Sequence, residues 1–196
     1  SGGKQVAKAA IAGYNLVSHL VHTDFATSLE QFGCSVILNG DDLIMRPRMV
    51  KSESELACMR HASKISHQAM RHVIDHIAPG MTELQVRGLG VSRLYELGAE
   101  NEAYPMWTLS GIGGDQAISR ARQKVISPGE MVHIGVGARY EGYASSIGRQ
   151  VIMGKPEKWM LDALDAAYEA HRIICRELYE GNNAGNVARA YHEVMA

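Results

Sequence analysis

Residues 129–154 read GEMVHIGVGARYEGYASSIGRQVIMG, two Val- and Ile-rich runs joined through a glycine-bearing turn. Met131–Ala138 and Tyr143–Met153 flank Tyr140-Glu141-Gly142, with Gly129 and Gly154 as outer punctuation, and the pattern is that of a β-hairpin. A loop at Tyr140–Glu141 sets Gly135 opposite Ser146, His133 opposite Gly148 and Gly137 opposite Ala144. Side chains alternate along a strand, so these residues share one face. That face carries His133 and otherwise only Gly, Ala and Ser. The other carries Val132, Ile134, Val136, Tyr143, Ile147 and Val151. One side is core, and the other is a shallow shelf that a ligand or another backbone can approach closely.

Outward from the hairpin, the pattern is mixed. Towards the N-terminus, Tyr104–Ser110 is expected as a strand, followed by the loop Ser110-Gly111-Ile112-Gly113-Gly114-Asp115. Before it, Thr82 caps a helix to Leu97 with Gly98 after its end, and Ala78-Pro79-Gly80 stops a longer helix over Ser52–Ile77. Leu56, Met59, Ile65, Met70, Val73 and Ile77 form one stripe on that helix. Ser52 with Glu55 is a capping box, and Pro47 is expected to interrupt regular structure just ahead of it. Further back, Val6–Tyr14 suits a strand, Leu16–Phe32 a helix closed by Gly33, and Val36–Leu38 a strand with a turn at Asn39–Asp42. After the hairpin, helices are expected over Glu157–Tyr179 and from Asn186. The result is an α+β domain, 48–196, with helices on one sheet face, preceded by the tail of another domain, 1–47.

The hairpin resembles the creatinase/aminopeptidase P ("pita-bread") family, which also holds prolidases and methionine aminopeptidases. That family writes the segment G-D/E-x-V-x-x-D-x-G-x-x-x-x-G-Y-x-S-D-x-x-R, and Gly129, Glu130, Val132, Gly137, Gly142, Tyr143, Ser145 and Arg149 are in register. Arg48, Lys51, Ser52 and Glu55 match its R-x-x-K-S-x-x-E, and Pro79–Glu83 its P-G-M-T-E. The resemblance implies a pita-bread catalytic domain following a creatinase-N-like domain. It also implies that a complete domain continues past Ala196 with a further His and two Glu ligands, so the chain reads as truncated. The family's two metal-binding aspartates are replaced by Gly135 and Ser146.

A two-metal hydrolase needs carboxylates converging with a His, because hard oxygen ligands hold the ions that activate water. Gly135 has no ligand atom and Ser146 only a neutral hydroxyl, so neither metal nor other cofactor is expected at the family site. The creatinase-like pattern S-G-I-x-x-D-x-A-H is met at Ser110, Gly111, Ile112, Asp115 and Ala117, but Ile118 stands where its acid/base His would be. His133, two residues before Gly135 on the same face, is the candidate base, weighed against a hydrogen-bonded sheet histidine. Ser146, Asp115, Trp107 and Gly135 are candidate substrate contacts. A local turn is the favoured reading of Asp115 and the core that of Trp107, while Ser146 equally suits plain space-filling. His72 and His76 have metal-ligand spacing, but no Glu completes H-E-x-x-H, and Arg60, His61, His67 and Arg71 suggest a solvated basic face. The glycine loop lacks both nucleotide-binding spacings.

Across 196 residues, twenty basic side chains oppose twenty-one acidic ones for a net charge of −1, which offers neither nucleic acid nor an anionic membrane a partner surface. No apolar run approaches the roughly 20 residues of a membrane helix. Three scattered cysteines fit reduced thiols and a cytoplasmic location. Val187, Tyr191 and Val194 need a covering surface, which later sheet strands of the family's domain or a second copy in a homodimer would supply. Two functions follow. One is a metal-independent hydrolase of the family, acting on a small amide, amidine or amino-acid derivative with groups partly in the portion expected past Ala196. The alternative is an inactive pseudo-peptidase that binds peptide or a protein partner.

Overall fold

The computed structural model describes residues 7–13, 16–111, 116 and 118–195. The chain divides into two units, Ser1–Ala57 and Cys58–Ala196. In the first, β1 (Lys8–Ala10) and β2 (Ser35–Ile37) pair in parallel with helix α1 (His19–Gln31) as the crossover between them. Ser18 caps α1, its Oγ accepting from the Val21 N–H, and Gly33 follows the helix at φ +80°. Helix α2 (Asp41–Met49) corrects one expectation, because Pro47 lies inside it. A proline ring has helical φ, so it fits the helix at the loss of one backbone hydrogen bond, and the helix ends soon after at Val50, which is extended.

Helix α3 (Glu53–His76) begins with the expected capping box: Glu55 Oε2 accepts from the Ser52 N–H at 2.6 Å and Ser52 Oγ from the Glu55 N–H at 3.4 Å. Its buried side is Ala62, Ile65, Ser66, Ala69, Met70 and Val73. Helix α4 (Glu83–Glu96) has a reciprocal Thr82–Gln85 box and ends before Gly98, at φ +89°. These two helices bury the apolar face of a small antiparallel sheet in the order β4 (Trp107–Ser110), β5 (Met131–Val136), β8 (Ile147–Ile152). Val132, Ile134 and Val136 are fully buried against Ile65, Met70, Val73, Val86, Leu94 and Met106. At about 25 cal/mol per Å² of apolar surface, this face is the main driving force for assembling the unit.

The hairpin is broken in two. A second sheet, ordered β3 (Asn101–Glu102), β6 (Ala138–Tyr140), β7 (Tyr143–Ala144), carries its tip. The break falls at Gly137, where a Cβ would collide with the Ser145 carbonyl, and that crowding is why the position is glycine. Ser66 Oγ of α3 bridges the gap, accepting from the Ala138 N–H at 2.8 Å and meeting Ser145 Oγ at 2.6 Å. The register also differs from expectation. Gly135 faces Gly148 and His133 faces Gln150, because the two-residue loop is Glu141–Gly142, at φ +48° and +77°. A two-residue hairpin loop of this hand needs positive φ at both positions. The Glu100 carboxylate holds it, accepting from the Glu141 and Gly142 N–H groups at 2.7 and 3.1 Å. Moving the loop by one residue shifts the pairing by two, so the two faces keep the residues expected of them.

Helices α5 (Lys158–Glu177) and α6 (Ala184–Met195) pack on each other, with only Met160 and Ala170 buried in α5 and no residue buried in α6. Among the described residues no helix is long and apolar enough to cross a membrane.

Candidate functional site

Strand β4 lies beside β5 with Trp107 directly paired to Gly135. A Cβ at residue 135 would fall among the indole atoms Cε2, Nε1 and Cζ2, so glycine is what allows the ring to lie over the strand. The shelf is therefore not open floor, as the sequence suggests. It is covered by Trp107, whose expected role in the core is only half met, since the residue is partly exposed. Tyr104 stacks on the indole at 4.5 Å between ring centres and 20° between planes, and the His133 ring lies at 6.1 Å and 18°. The expected strand over Tyr104–Ser110 starts only at Trp107. Tyr104 sits in the bend before Pro105, which frees its ring to fold back over the shelf.

The remaining shelf groups are polar and short. Tyr104 Oη and Ser146 Oγ are hydrogen-bonded at 2.9 Å, and Ser146 occupies the unpaired step between β7 and β8. The Gln150 amide is 2.8 Å from Nδ1 of His133, directly across the strand pair. Burial pushes the His133 imidazole below its ordinary pKa, with the Gln150 hydrogen bond opposing, so the ring is neutral at neutral pH. Burial likewise raises the Tyr104 phenol, against its bond to Ser146. The indole Nε1 is buried without a hydrogen-bond partner. Sequence reasoning thus placed His133, Gly135, Trp107 and Ser146 near one another, but missed Tyr104 and Gln150. Asp115 lies outside the described residues. Ile118, at the position of the creatinase-like His, is exposed.

At the other end of β4 is a polar cluster that sequence reasoning did not find. Glu83, fully buried at the start of α4, accepts from the Ser110 N–H and Oγ at 2.9 and 2.8 Å, and from the Arg122 N–H, Nε and Nη2 at 2.9, 3.1 and 2.9 Å. Burial alone would raise its pKa, but the Arg122 and Ser110 donors outweigh burial and hold it below the ordinary glutamate value. Lys124 bridges Ser110 Oγ at 3.0 Å and Glu130 at 2.7 Å. The cluster ties together both ends of the segment between Ser110 and Arg122. Among the described residues no three His, Cys, Asp or Glu side chains gather as a metal site.

The family model for metallopeptidase family M24 matches residues 57–196. The chain belongs to this family, the creatinase/aminopeptidase P family with the pita-bread fold. It is 30% identical over 156 residues to a Xaa-Pro dipeptidase of Pyrococcus horikoshii, covering 80% of this chain and 44% of that one. It is 25% identical over 194 residues to the uncharacterized peptidase YqhT of Bacillus subtilis, covering 85% and 55%. Among solved structures, an X-Pro aminopeptidase from Thermotoga maritima superposes with a TM-score of 0.78 at 28% identity, covering 84% of this chain and 46% of that one. The chain spans about half the length of the curated relatives it matches.

Proposed function

We propose that this chain carries the cleft of an M24 hydrolase without a two-metal centre, and that the shelf serves metal-independent hydrolysis of a small amide, amidine or amino-acid derivative. The observation that carries this reading is Trp107 over Gly135. An ion pair that activates water needs oxygen ligands and an open volume. Position 135 offers no ligand atom, the indole fills the space above it, and the Ser146 hydroxyl is engaged by Tyr104. The residues present do not fit the metals. In this reading His133 is the base, kept neutral by burial and oriented by Gln150, and a positioned base of this kind contributes roughly 10²–10⁴-fold. Trp107, seated on Gly135, is the platform for the substrate's flat group, Ser146 hydrogen-bonds it, and Asp115 is the counter-charge for an amidine.

The second reading is a pseudo-peptidase that binds peptide or a protein partner without turnover. The same shelf favours it in one respect, because Tyr104 stacks on Trp107 and holds Ser146, closing the cleft with the protein's own side chains. Conventional metal-dependent Xaa-Pro cleavage is the reading these residues disfavour. We place the protein in the cytoplasm, in keeping with its three cysteine thiols. We also assign it a homodimer, in keeping with the exposed Trp159, Tyr168 and Leu178 of the α5–α6 region.

The test is a turnover screen with Xaa-Pro dipeptides, creatine and related amidines, with and without chelator. Turnover that survives chelator and falls at least about 100-fold in His133→Gln supports the hydrolase. Turnover abolished by chelator overturns metal independence. Peptide binding without turnover selects the pseudo-peptidase.

A further inference from the structure

Away from the shelf, the last turn of α3 brings two imidazoles together. His72 and His76 stand four residues apart on one side of the helix, their ring centres 4.2 Å apart and their planes inclined by 37°. Nδ1 of His76 is 2.8 Å from the His72 carbonyl oxygen. A carbonyl only accepts, so Nδ1 carries the hydrogen and the neutral ring keeps its lone pair on Nε2. Metal-binding histidines are oriented in this way, one nitrogen donating to a carbonyl and the other left for the ion.

The spacing suits a shared ion. Imidazoles bound at about 2.0–2.1 Å through one nitrogen each set their ring centres roughly 4.5–5 Å apart, so these rings need to open by up to about 0.8 Å. His72 is half-buried and forms one wall of a hollow of about 410 Å³ beside α4, with Met81, Gln85 and Ser92 among the other walls. The hollow leaves room for water beside His72, and His76, which does not line it, is exposed to solvent. Arg71, next in the chain, is paired with Asp75 at 3.4 Å, which offsets its repulsion of a cation.

We propose that His72 and His76 form a two-histidine site for a divalent transition ion of the Cu²⁺, Ni²⁺ or Zn²⁺ type. Imidazole ligands select these ions over Mg²⁺ and Mn²⁺, which prefer carboxylates and water. No glutamate stands between the two histidines to act on a bound water, so the ion has a structural effect, clipping the final turn of α3 ahead of Pro79. The site is independent of the shelf and of the function assigned to it.

Calorimetric titration of Ni²⁺ into the full chain tests it. The chain carries Cys175→Ser, which removes the thiol lying 3.5 Å from His171. One equivalent is expected, with affinity at least tenfold weaker in His72→Asn and in His76→Asn, unchanged in His67→Asn, and unmatched by Mn²⁺. Sub-stoichiometric Cu²⁺ added to the same Cys175→Ser chain should broaden the ring-proton resonances of His72 and His76 first, a readout that needs no histidine variant to fold. Equal Ni²⁺ binding by the His72→Asn/His76→Asn double variant, or broadening that begins elsewhere, would overturn the site.

Discussion

The two ends of strand β4 hold opposite kinds of site. At Ser110, a carboxylate is buried completely and given five donors by Ser110 and Arg122. At Trp107, the neighbouring strand offers a bare glycine, and an aromatic stack fills the space a side chain would take. Burying charge is expensive unless every lone pair is met, so the Ser110 end is organised around satisfying one carboxylate. The Trp107 end presents no carboxylate from positions 135 or 146. The contrast separates what holds the M24 scaffold together from the shelf to which we assign a function. The helix caps, the apolar sheet face and the Glu83 cluster preserve the fold, and none of them depends on the identity of residue 135.

If that separation is right, the largest loss of stability comes from the Ser110 end. Glu83→Ala should lower stability by roughly 3 kcal/mol in urea unfolding, because it strands buried donors of Ser110 and Arg122. Glu130→Ala, whose carboxylate is partly exposed, should cost under about 1 kcal/mol. Equal losses would erase the distinction between the fully buried carboxylate of the cluster and its partly buried one.

A smaller effect is expected at the shelf. Gly135→Val should cost about 1–3 kcal/mol by forcing the indole aside, and Trp107→Ala in the same chain should recover much of that loss. Losses that simply add would mean that the ring does not sit over residue 135.

The smallest effect concerns pH. The folded pKa of His133 is depressed, so the folded protein binds fewer protons than the unfolded chain as pH falls below the ordinary imidazole value of about 6.5. The stability contributed by keeping this ring neutral is fully present above that value and is lost as pH falls through the folded pKa. His133→Gln should flatten the fall in melting temperature between about pH 6.5 and 5. An unchanged slope would place the ring in solvent.

Much of this was legible in the sequence, for physical reasons that differ by element. Thr82, Gly98 and the Ser52–Glu55 box announce helix ends because capping is local chemistry. The two faces of the hairpin were readable because alternation survives a two-residue slip in register, although the slip itself was not. It depends on Glu100 holding Glu141 at positive φ from about forty residues away. The covering of the shelf was hidden for the same reason. Trp107 and Gly135 meet only through non-local strand pairing, and nothing in either segment shows that the indole, rather than a ligand, comes close to the glycine. Glu83 and Arg122, 39 residues apart, are equally silent in one dimension.

We propose that the M24 cleft of this chain has no place for a two-metal centre. Manganese tests it most directly, because Mn²⁺ prefers carboxylate oxygens and is poorly held by imidazoles alone. Titration of the protein with Mn²⁺, followed by electron paramagnetic resonance, should leave the free-ion signal undiminished at stoichiometric additions. Uptake of about two equivalents per chain, as a two-metal hydrolase requires, would show that the cleft holds the metals.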